Sequence, residues 1–263
     1  MGLLDGRVLV TGATGGIGAA IARAFAARGA NLILTGRRED VLRSLADELR
    51  GQAVVCDLAN RADVDRLIAE AGEVDVLVAN AGLPGAGALT DFGQEQLDRI
   101  WEVNVRAPIA LARSLAPGMI ARRAGHLVFM SSLNGRVASP LTSVYSATKF
   151  ALRGFALGLR QDLRRDGVGV SVVMPGFVSE VGMFADTGVH LPPTLGTRSP
   201  EEVAAGVIRA VEHNRGEVDV APLRVRIGAA IGGVAPGLAA SVTRLGGGEQ
   251  LAAEIAIGQR EKL

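Results

Sequence analysis

Cysteine is all but missing from this sequence: Cys56 stands alone among 263 residues. A single thiol cannot close an internal disulfide, which excludes the small secreted scaffolds and fits a reducing cytosol. Aromatic side chains make up only 3% of the chain, too few for the stacking platforms that grip single strands. Neither sign of charge is in excess, with 28 basic and 27 acidic residues, so nucleic acid is not an expected partner. The longest charge-free stretch, residues 227–243, has 17 members. That falls short of the roughly 20 apolar residues a spanning helix needs. The segment Met1–Arg7 carries neither the basic nor the apolar region of a secretory signal, so a cytoplasmic location is expected.

Two further scarcities are more informative. Lysine occurs only at Lys149 and Lys262, against 26 arginines, and Tyr145 is the one tyrosine. That tyrosine lies four residues before the only lysine outside the carboxyl end. Glycine, by contrast, is plentiful at 35 residues, and 48% of the side chains are hydrophobic. The length and the absence of a linker or repeat suit one domain, 1–263, around one sheet.

Short, nearly continuous apolar runs at 8–10, 32–34, 53–55 and 74–78 are expected to be buried strands. Segments of helical spacing separate them, with Ile21, Ala22, Phe25 and Ala26 on one face of the first and others at 39–50 and 62–71. A long helix over 94–123, a strand at 126–130, a helix at 144–164 and a strand at 168–174 follow. A helix at 200–214 and a strand at 218–221 complete the pattern. Alternation of this kind predicts a doubly wound α/β fold, a parallel sheet with helices on both faces. Beyond Pro222 the pattern stops, and the 222–263 extension is expected to pack on this chain or on a second subunit. A peripheral membrane contact through 227–243 is the alternative.

Thr11-Gly12-Ala13-Thr14-Gly15-Gly16-Ile17-Gly18 follows the first strand and opens the first helix. Glycines there permit a tight turn and bring backbone N–H groups against a pyrophosphate at a helix N-terminus. The second strand ends in Gly36-Arg37-Arg38, where an acidic residue would hold a ribose 2′-hydroxyl. Two guanidinium forks suit a 2′-phosphate instead, which favours NADP(H) over NAD(H). Asp57 ends the third strand and is placed either to accept from the adenine amino group or to cap the next helix. Asn80-Ala81-Gly82 ends the fourth strand at the same sheet edge.

Tyr145 and Lys149 are one helical turn apart on one face. A neighbouring ammonium stabilises a phenolate and lowers the phenol from its ordinary value of about 10, which suits proton exchange with an alcohol or carbonyl oxygen. Ser132 emerges from the fifth strand at the carboxyl edge, where its hydroxyl can donate to a substrate oxygen. Pro108 removes a hydrogen bond to the carbonyl of Asn104, and a kink there offers a site for an interior water. His126, His190 and His213 show no ligand spacing, so no metal is expected. Gly154 and Gly158 permit a close helix contact, in the core or at a subunit interface.

Together the Thr11-Gly-x-x-x-Gly-x-Gly18 loop, Asn80-Ala-Gly82, Asn104, Ser132, Tyr145-x-x-x-Lys149 and Pro175-Gly176 resemble the short-chain dehydrogenase/reductase family. The resemblance covers residues from about 7 to 180. It implies a Rossmann sheet of seven parallel strands in the order 3-2-1-4-5-6-7, a nicotinamide cofactor and a homodimer or homotetramer. It also implies a catalytic tetrad of Asn104, Ser132, Tyr145 and Lys149. In that tetrad Tyr145 is the acid/base, Ser132 orients substrate, Lys149 tunes the tyrosine and holds the ribose, and Asn104 positions a relay water. The implied cofactor-binding set is Gly12, Thr14, Gly16, Ile17, Gly18, Arg37, Arg38, Asp57, Leu58, Asn80, Ala81, Gly82, Tyr145, Lys149, Pro175 and Val178. One departure stands out: the family commonly carries a threonine five residues after the proline, and here that position is Glu180. Ser179 and the Val178 backbone are the substitutes at hand.

Residues 177–199 are expected to form an apolar lid, with only Glu180, Asp186 and Arg198 charged. Such a lid favours a lipophilic alcohol or ketone over a sugar. The expected activity is NADP(H)-dependent interconversion of a carbonyl and a secondary alcohol. An NAD(H)-dependent alcohol dehydrogenase and a non-catalytic dinucleotide sensor are the alternatives.

Overall fold

A computed structural model of the chain describes residues 2–189, 191, 195–245 and 248–259. Seven strands run parallel: β1 (Arg7–Thr11), β2 (Asn31–Gly36), β3 (Gln52–Val55), β4 (Val76–Ala79), β5 (Gly125–Met130), β6 (Val168–Pro175) and β7 (Glu217–Val220). Their order across the sheet is β3-β2-β1-β4-β5-β6-β7. The order reverses between β1 and β4, which pair Val8 with Val76 and Val10 with Val78. A crevice opens at the carboxyl ends of the strands at such a reversal. The expected strands are all present, with boundaries displaced by a residue or two.

Successive strand residues point to opposite faces, and the core divides accordingly. Leu9, Ile33, Leu77, Leu127 and Phe129 face one layer. Val8, Val10, Leu34, Val76, Val78 and Val128 face the other. The first layer is covered by α3 (Arg61–Ala71), α5 (Ala107–Arg122) and α6 (Ser143–Asp162). The second is covered by α1 (Gly16–Ala26), α2 (Glu39–Leu49) and α7 (Pro200–Glu212). Two of the helices are capped by their own side chains: Asn60, and not Asp57, caps α3, and Ser199 with Glu202 forms a capping box on α7.

Two helical expectations need correction. The stretch 94–123 is not one kinked helix: α4 (Gln94–Trp101) passes into a π-turn (Glu102–Arg106) before α5. The Ala107 N–H reaches back five residues to the Glu102 carbonyl. Pro108 follows immediately and has no N–H, so the inserted residue absorbs the break and the helix does not bend apart. The second correction concerns the carboxyl end, which is helical where no pattern was expected. It forms α8 (Leu223–Val234), α9 (Pro236–Leu245) and α10 (Gly248–Gln259). At least part of this extension packs on its own chain, with Ala229 and Ala256 buried. Residues 260–263, with Lys262, lie outside the described residues.

Gly154 and Gly158 lie on an outward face of α6, where an added Cβ would meet nothing. They are not core contacts. Among the described residues no helix is long and apolar enough to cross a membrane.

Candidate active site

The carboxyl edge of the sheet opens into a cleft of about 1520 Å³. Small-ligand pockets typically measure roughly 300–1,000 Å³, so this one has room for a large ligand and a smaller one beside it. Every expected site residue except Asn104 lines it, from Gly12 and Arg37 at one end to Tyr145 and Val178 at the other. Asn104 lies just behind.

The glycine loop is shaped by close approach. Gly12 has φ +65°, and a Cβ there would fall 2.8 Å from the Ala81 Cα. A Cβ on Gly18 would fall 2.2 Å from the Gly12 carbonyl oxygen, so α1 comes down tightly on the end of β1. The N-terminus of α1 has no side-chain cap and no acidic residue in its first turn. Its leading N–H groups therefore point into the cleft with the positive end of the helix dipole, in contrast to the self-capped α3 and α7. An anionic group fits there, and so does the pyrophosphate of a dinucleotide.

At the end of β2, Gly36 makes room for Thr14, whose Cγ2 and Oγ1 would each lie 2.9 Å from a Cβ at that position. No acidic side chain can stand at position 36 without moving Thr14. Arg38 donates to the Thr14 carbonyl, and both Arg37 and Arg38 face the cleft. Asp57 is engaged within the protein: it accepts from Arg99 at 2.8 Å and from the Ala59 N–H at 3.0 Å. Its carboxyl is held below the usual range by these bonds, which outweigh the burial that opposes them. The side chain of Asn80 ties β4 to the glycine loop, donating to the carbonyls of Thr11 at 3.0 Å and Gly12 at 3.3 Å. Thr11 Oγ1 in turn accepts from the N–H groups of Asn80 and Ala81, each at 3.0 Å.

Ser132, Tyr145 and Lys149 converge deeper in the cleft. Burial pushes the Tyr145 phenol up to about 12, and a hydrogen bond from Ser132 pulls against it. Burial pushes the Lys149 ammonium down to about 8. These directions differ from the sequence expectation that Lys149 lowers the phenol. The reason is geometric: Lys149 Nζ donates to the Met130 carbonyl at 2.9 Å and stands 5.5 Å from the Tyr145 ring centre. Desolvation dominates both groups. Asn104 is buried, accepting from the Leu83 N–H at 2.7 Å and donating to the Leu83 carbonyl at 3.0 Å and to Thr148 Oγ1 at 3.2 Å. Its amide thus locks the π-turn to the strand-four loop and to α6.

Residues 7–190 match the short chain dehydrogenase family. The chain belongs to that family. The ketoacyl reductase HetN of Nostoc is 35% identical over 81% of this chain and 77% of its own length. The dehydrogenase/reductase SDR family member 7B of Xenopus tropicalis is 36% identical over 84% and 79%. Among solved structures, a short-chain dehydrogenase from Sphingobium yanoikuyae in complex with NADPH superposes with a TM-score of 0.78. It is 27% identical and covers 88% of this chain and 94% of that one. A serine dehydrogenase complexed with NADP+ gives 0.74 at 30% identity, covering 83% and 95%.

As a short-chain dehydrogenase, the protein is an oxidoreductase acting on carbonyl and alcohol groups. The segment after Pro175 carries its departure from the family pattern without intruding on the cleft. Glu180 takes a left-handed conformation, φ +68°, and neither it nor Ser179 lines the cleft. Ser179 bonds instead to the Arg198 carbonyl through its N–H at 3.0 Å. Phe177, Val178, Val181, Met183 and Phe184 are among the residues of this segment that line the cleft, and Val181 presses on Gly16, where a Cβ would meet it at 2.2 Å. His190, Pro192 and Pro193 lie outside the described residues, so the lid is described only in part.

Sequence reasoning missed the far wall. Leu251, Ala252 and Ile255 of α10 line the cleft with Gly228 and Ile231 of α8. Gln259 donates to the Met183 carbonyl at 3.2 Å, joining α10 to the lid segment. Arg136 was missed as well: it pairs with Asp219 at 2.8 Å and Glu217 at 3.2 Å, pinning the loop after Ser132 to β7. The signal for Arg136 was a basic residue four positions after a site serine, which has no meaning until β7 is placed beside it. Among the described residues, no group of three His, Cys, Asp or Glu side chains could hold a metal ion.

Proposed function

We propose that the protein is an NADP(H)-dependent reductase that interconverts a lipophilic ketone and its secondary alcohol. The observation that carries the reading is the joining of two sites in one cleft. An uncapped helix N-terminus beside Arg37 and Arg38 lies at one end, and Ser132 with Tyr145 lies at the other, against an apolar wall. When bound, the dinucleotide supplies or accepts the hydride. The protein's own residues do the rest. Ser132 and the Tyr145 hydroxyl donate to the substrate oxygen, and Tyr145 gives it a proton on reduction or takes one on oxidation. Lys149, held by the Met130 carbonyl, keeps a positive charge beside the forming phenolate. Asn104 acts by holding the Leu83 loop and α6 in register rather than by touching substrate.

The preference for the phosphorylated cofactor rests on the crowding of Thr14 against Gly36 together with the two guanidinium groups that line the cleft there. The NADPH and NADP+ of the solved relatives agree with it. The apolar wall made by Met183, Phe184, Leu251 and Ile255 supports a lipophilic substrate. A single-domain enzyme of the cytoplasm, assembled through the outward α6 face that carries Phe150, Gly154 and Gly158, completes the proposal.

Tyr145→Phe tests it. Turnover of NADPH with lipophilic ketones should fall by about 10²-fold or more, the usual worth of a positioned acid. The thermal shift given by NADPH should remain, and should exceed that given by NADH in the parent protein. Retained turnover would remove Tyr145 from the chemistry. A larger shift with NADH would make the arginines ordinary surface charge.

A further inference from the structure

Helix α8 carries apolar side chains on both its inner and its outer face. Its inner face packs on the protein, with Ala229 and Gly232 buried and Val225 against the core beneath. Its outer face is not covered: Leu223 is 64% exposed, Ile227 51%, Ile231 51% and Val234 88%. These four are spaced by four, four and three residues, which aligns them in one stripe along the helix. An open stripe of this size marks a surface that is covered in use.

The charge around the stripe indicates what covers it. Residues 220–248 contain Arg224, Arg226 and Arg244 and no carboxylate. Arg224 and Arg226 stand in the first turn of α8, at the positive end of its dipole, where cations are disfavoured. Neither has an ion-pair or hydrogen-bond partner among the described residues. An external anion resolves both conflicts. A second copy of this chain docked face to face would instead set Arg224 and Arg226 against their own copies with no carboxylate between them. Anionic phospholipid supplies the complementary charge and the apolar phase together. The position of the stripe is consistent with this, because Ile231 belongs to both the stripe and the cleft wall, and Arg224 beside it also lines the cleft.

We propose that the outer face of α8 docks on an anionic phospholipid surface, with Leu223, Ile227 and Val234 entering the interface and Arg224 and Arg226 at the phosphates. The cleft mouth then opens toward the bilayer. Docking needs no turnover, so the inference stands apart from the choice of cofactor or substrate.

The test is flotation of the full chain with vesicles of phosphatidylcholine alone or mixed with phosphatidylglycerol. The protein should float with the mixed vesicles, weakly with the neutral ones, and less as salt is raised. Arg226→Glu should lower vesicle partition by roughly fivefold or more, since one cation near such a surface contributes about 1 kcal/mol. Ile227→Asp with Val234→Asp should lower it by about tenfold or more, because apolar burial is lost and charge is added. All three side chains lie outside the cleft, so the NADPH thermal shift should stay unchanged and report intact folding. No flotation with mixed vesicles at low salt would overturn the proposal. Flotation indifferent to both variants would also overturn it. A subunit assembly that Ile227→Asp breaks, in a protein that binds no vesicles, would assign the stripe to a second copy and refute the lipid contact.

Discussion

Lys149 and Tyr145 illustrate what a residue's environment adds to its identity. Their rarity made them visible in the sequence, and their spacing placed them on one face of α6. The direction of their acidities was not visible, because it depends on the Met130 carbonyl and on burial. A phenol near 12 is protonated throughout the neutral range, which suits the acid role proposed for it in ketone reduction. Lys149 loses its charge above about pH 8. The efficiency of reduction should therefore be level below that pH and decline above it, approaching about tenfold per unit. Alcohol oxidation needs the phenolate and should climb as pH rises. A pH profile of both directions checks this, and a reduction rate that stays level to pH 10 would detach Lys149 from the acid step.

His126 shows the same dependence away from the cleft. The sequence offered it as a lone histidine at a strand start with no metal role. In the fold its Nε2 lies 2.7 Å from Ser171 Oγ, which itself donates to the Arg215 carbonyl at 2.5 Å, so Nε2 is the donor in that contact. Burial, with Arg160 nearby, lowers it to about 4 from an ordinary 6.5. The folded state therefore binds fewer protons than the unfolded chain between those values. The stability this gives is complete above pH 6.5 and is lost as pH falls toward 4, on the order of 3 kcal/mol. Urea midpoints from pH 7 to 4.5 should fall less steeply for His126→Gln than for the parent. Parallel slopes would show that other groups carry the acid sensitivity.

At the scale of elements, the alternation of apolar strands and amphipathic helices was enough to give the sheet, its direction and the edge where ligands bind. The sheet order came with the family resemblance and not with the pattern. What the pattern misjudged was the join between α4 and α5. Pro108 marks the place of the irregularity, but a kink and a π-turn satisfy the same missing hydrogen bond and differ only in how one residue is accommodated. The ion pairs from Arg136 to β7 were illegible for a related reason, since their partners are far apart in sequence, 83 residues for Asp219. Arg136 and Asp219 are both largely buried. Removing the cation alone leaves a buried carboxylate unpaired, so Arg136→Met should cost about 3 kcal/mol of stability. It should also loosen the loop that carries Ser132 and reduce turnover. Adding Asp219→Leu should restore much of the stability, because the charge is then gone too. A double variant no more stable than Arg136→Met would mean the pair contributes through packing alone.

For the molecule as a whole, the question is how a cleft at the carboxyl edge of the sheet acquires its apolar far wall. The answer lies in the residues least legible in the sequence. Residues 223–259 carry apolar side chains on several sides of each helix, so the outer stripe of α8 did not stand out as the single apolar face of an amphipathic helix. Folded back, α10 meets the lid through Gln259 and Met183 and through the close approach of Gly258 to Thr187. On the proposed function, substrate and cofactor are thus held by different parts of the chain. Ending the chain after Leu245 removes Leu251, Ala252 and Ile255 from the cleft and leaves the glycine loop, Arg37 and Arg38 untouched. Loss of even one well-buried aliphatic contact is worth about 1.5–3 kcal/mol. The KM for a long-chain ketone should accordingly rise by about tenfold or more, and that for a small ketone should change little. The NADPH thermal shift should persist. Equal losses for long and short ketones would mean that α10 supports the fold of the lid and does not itself contact the substrate.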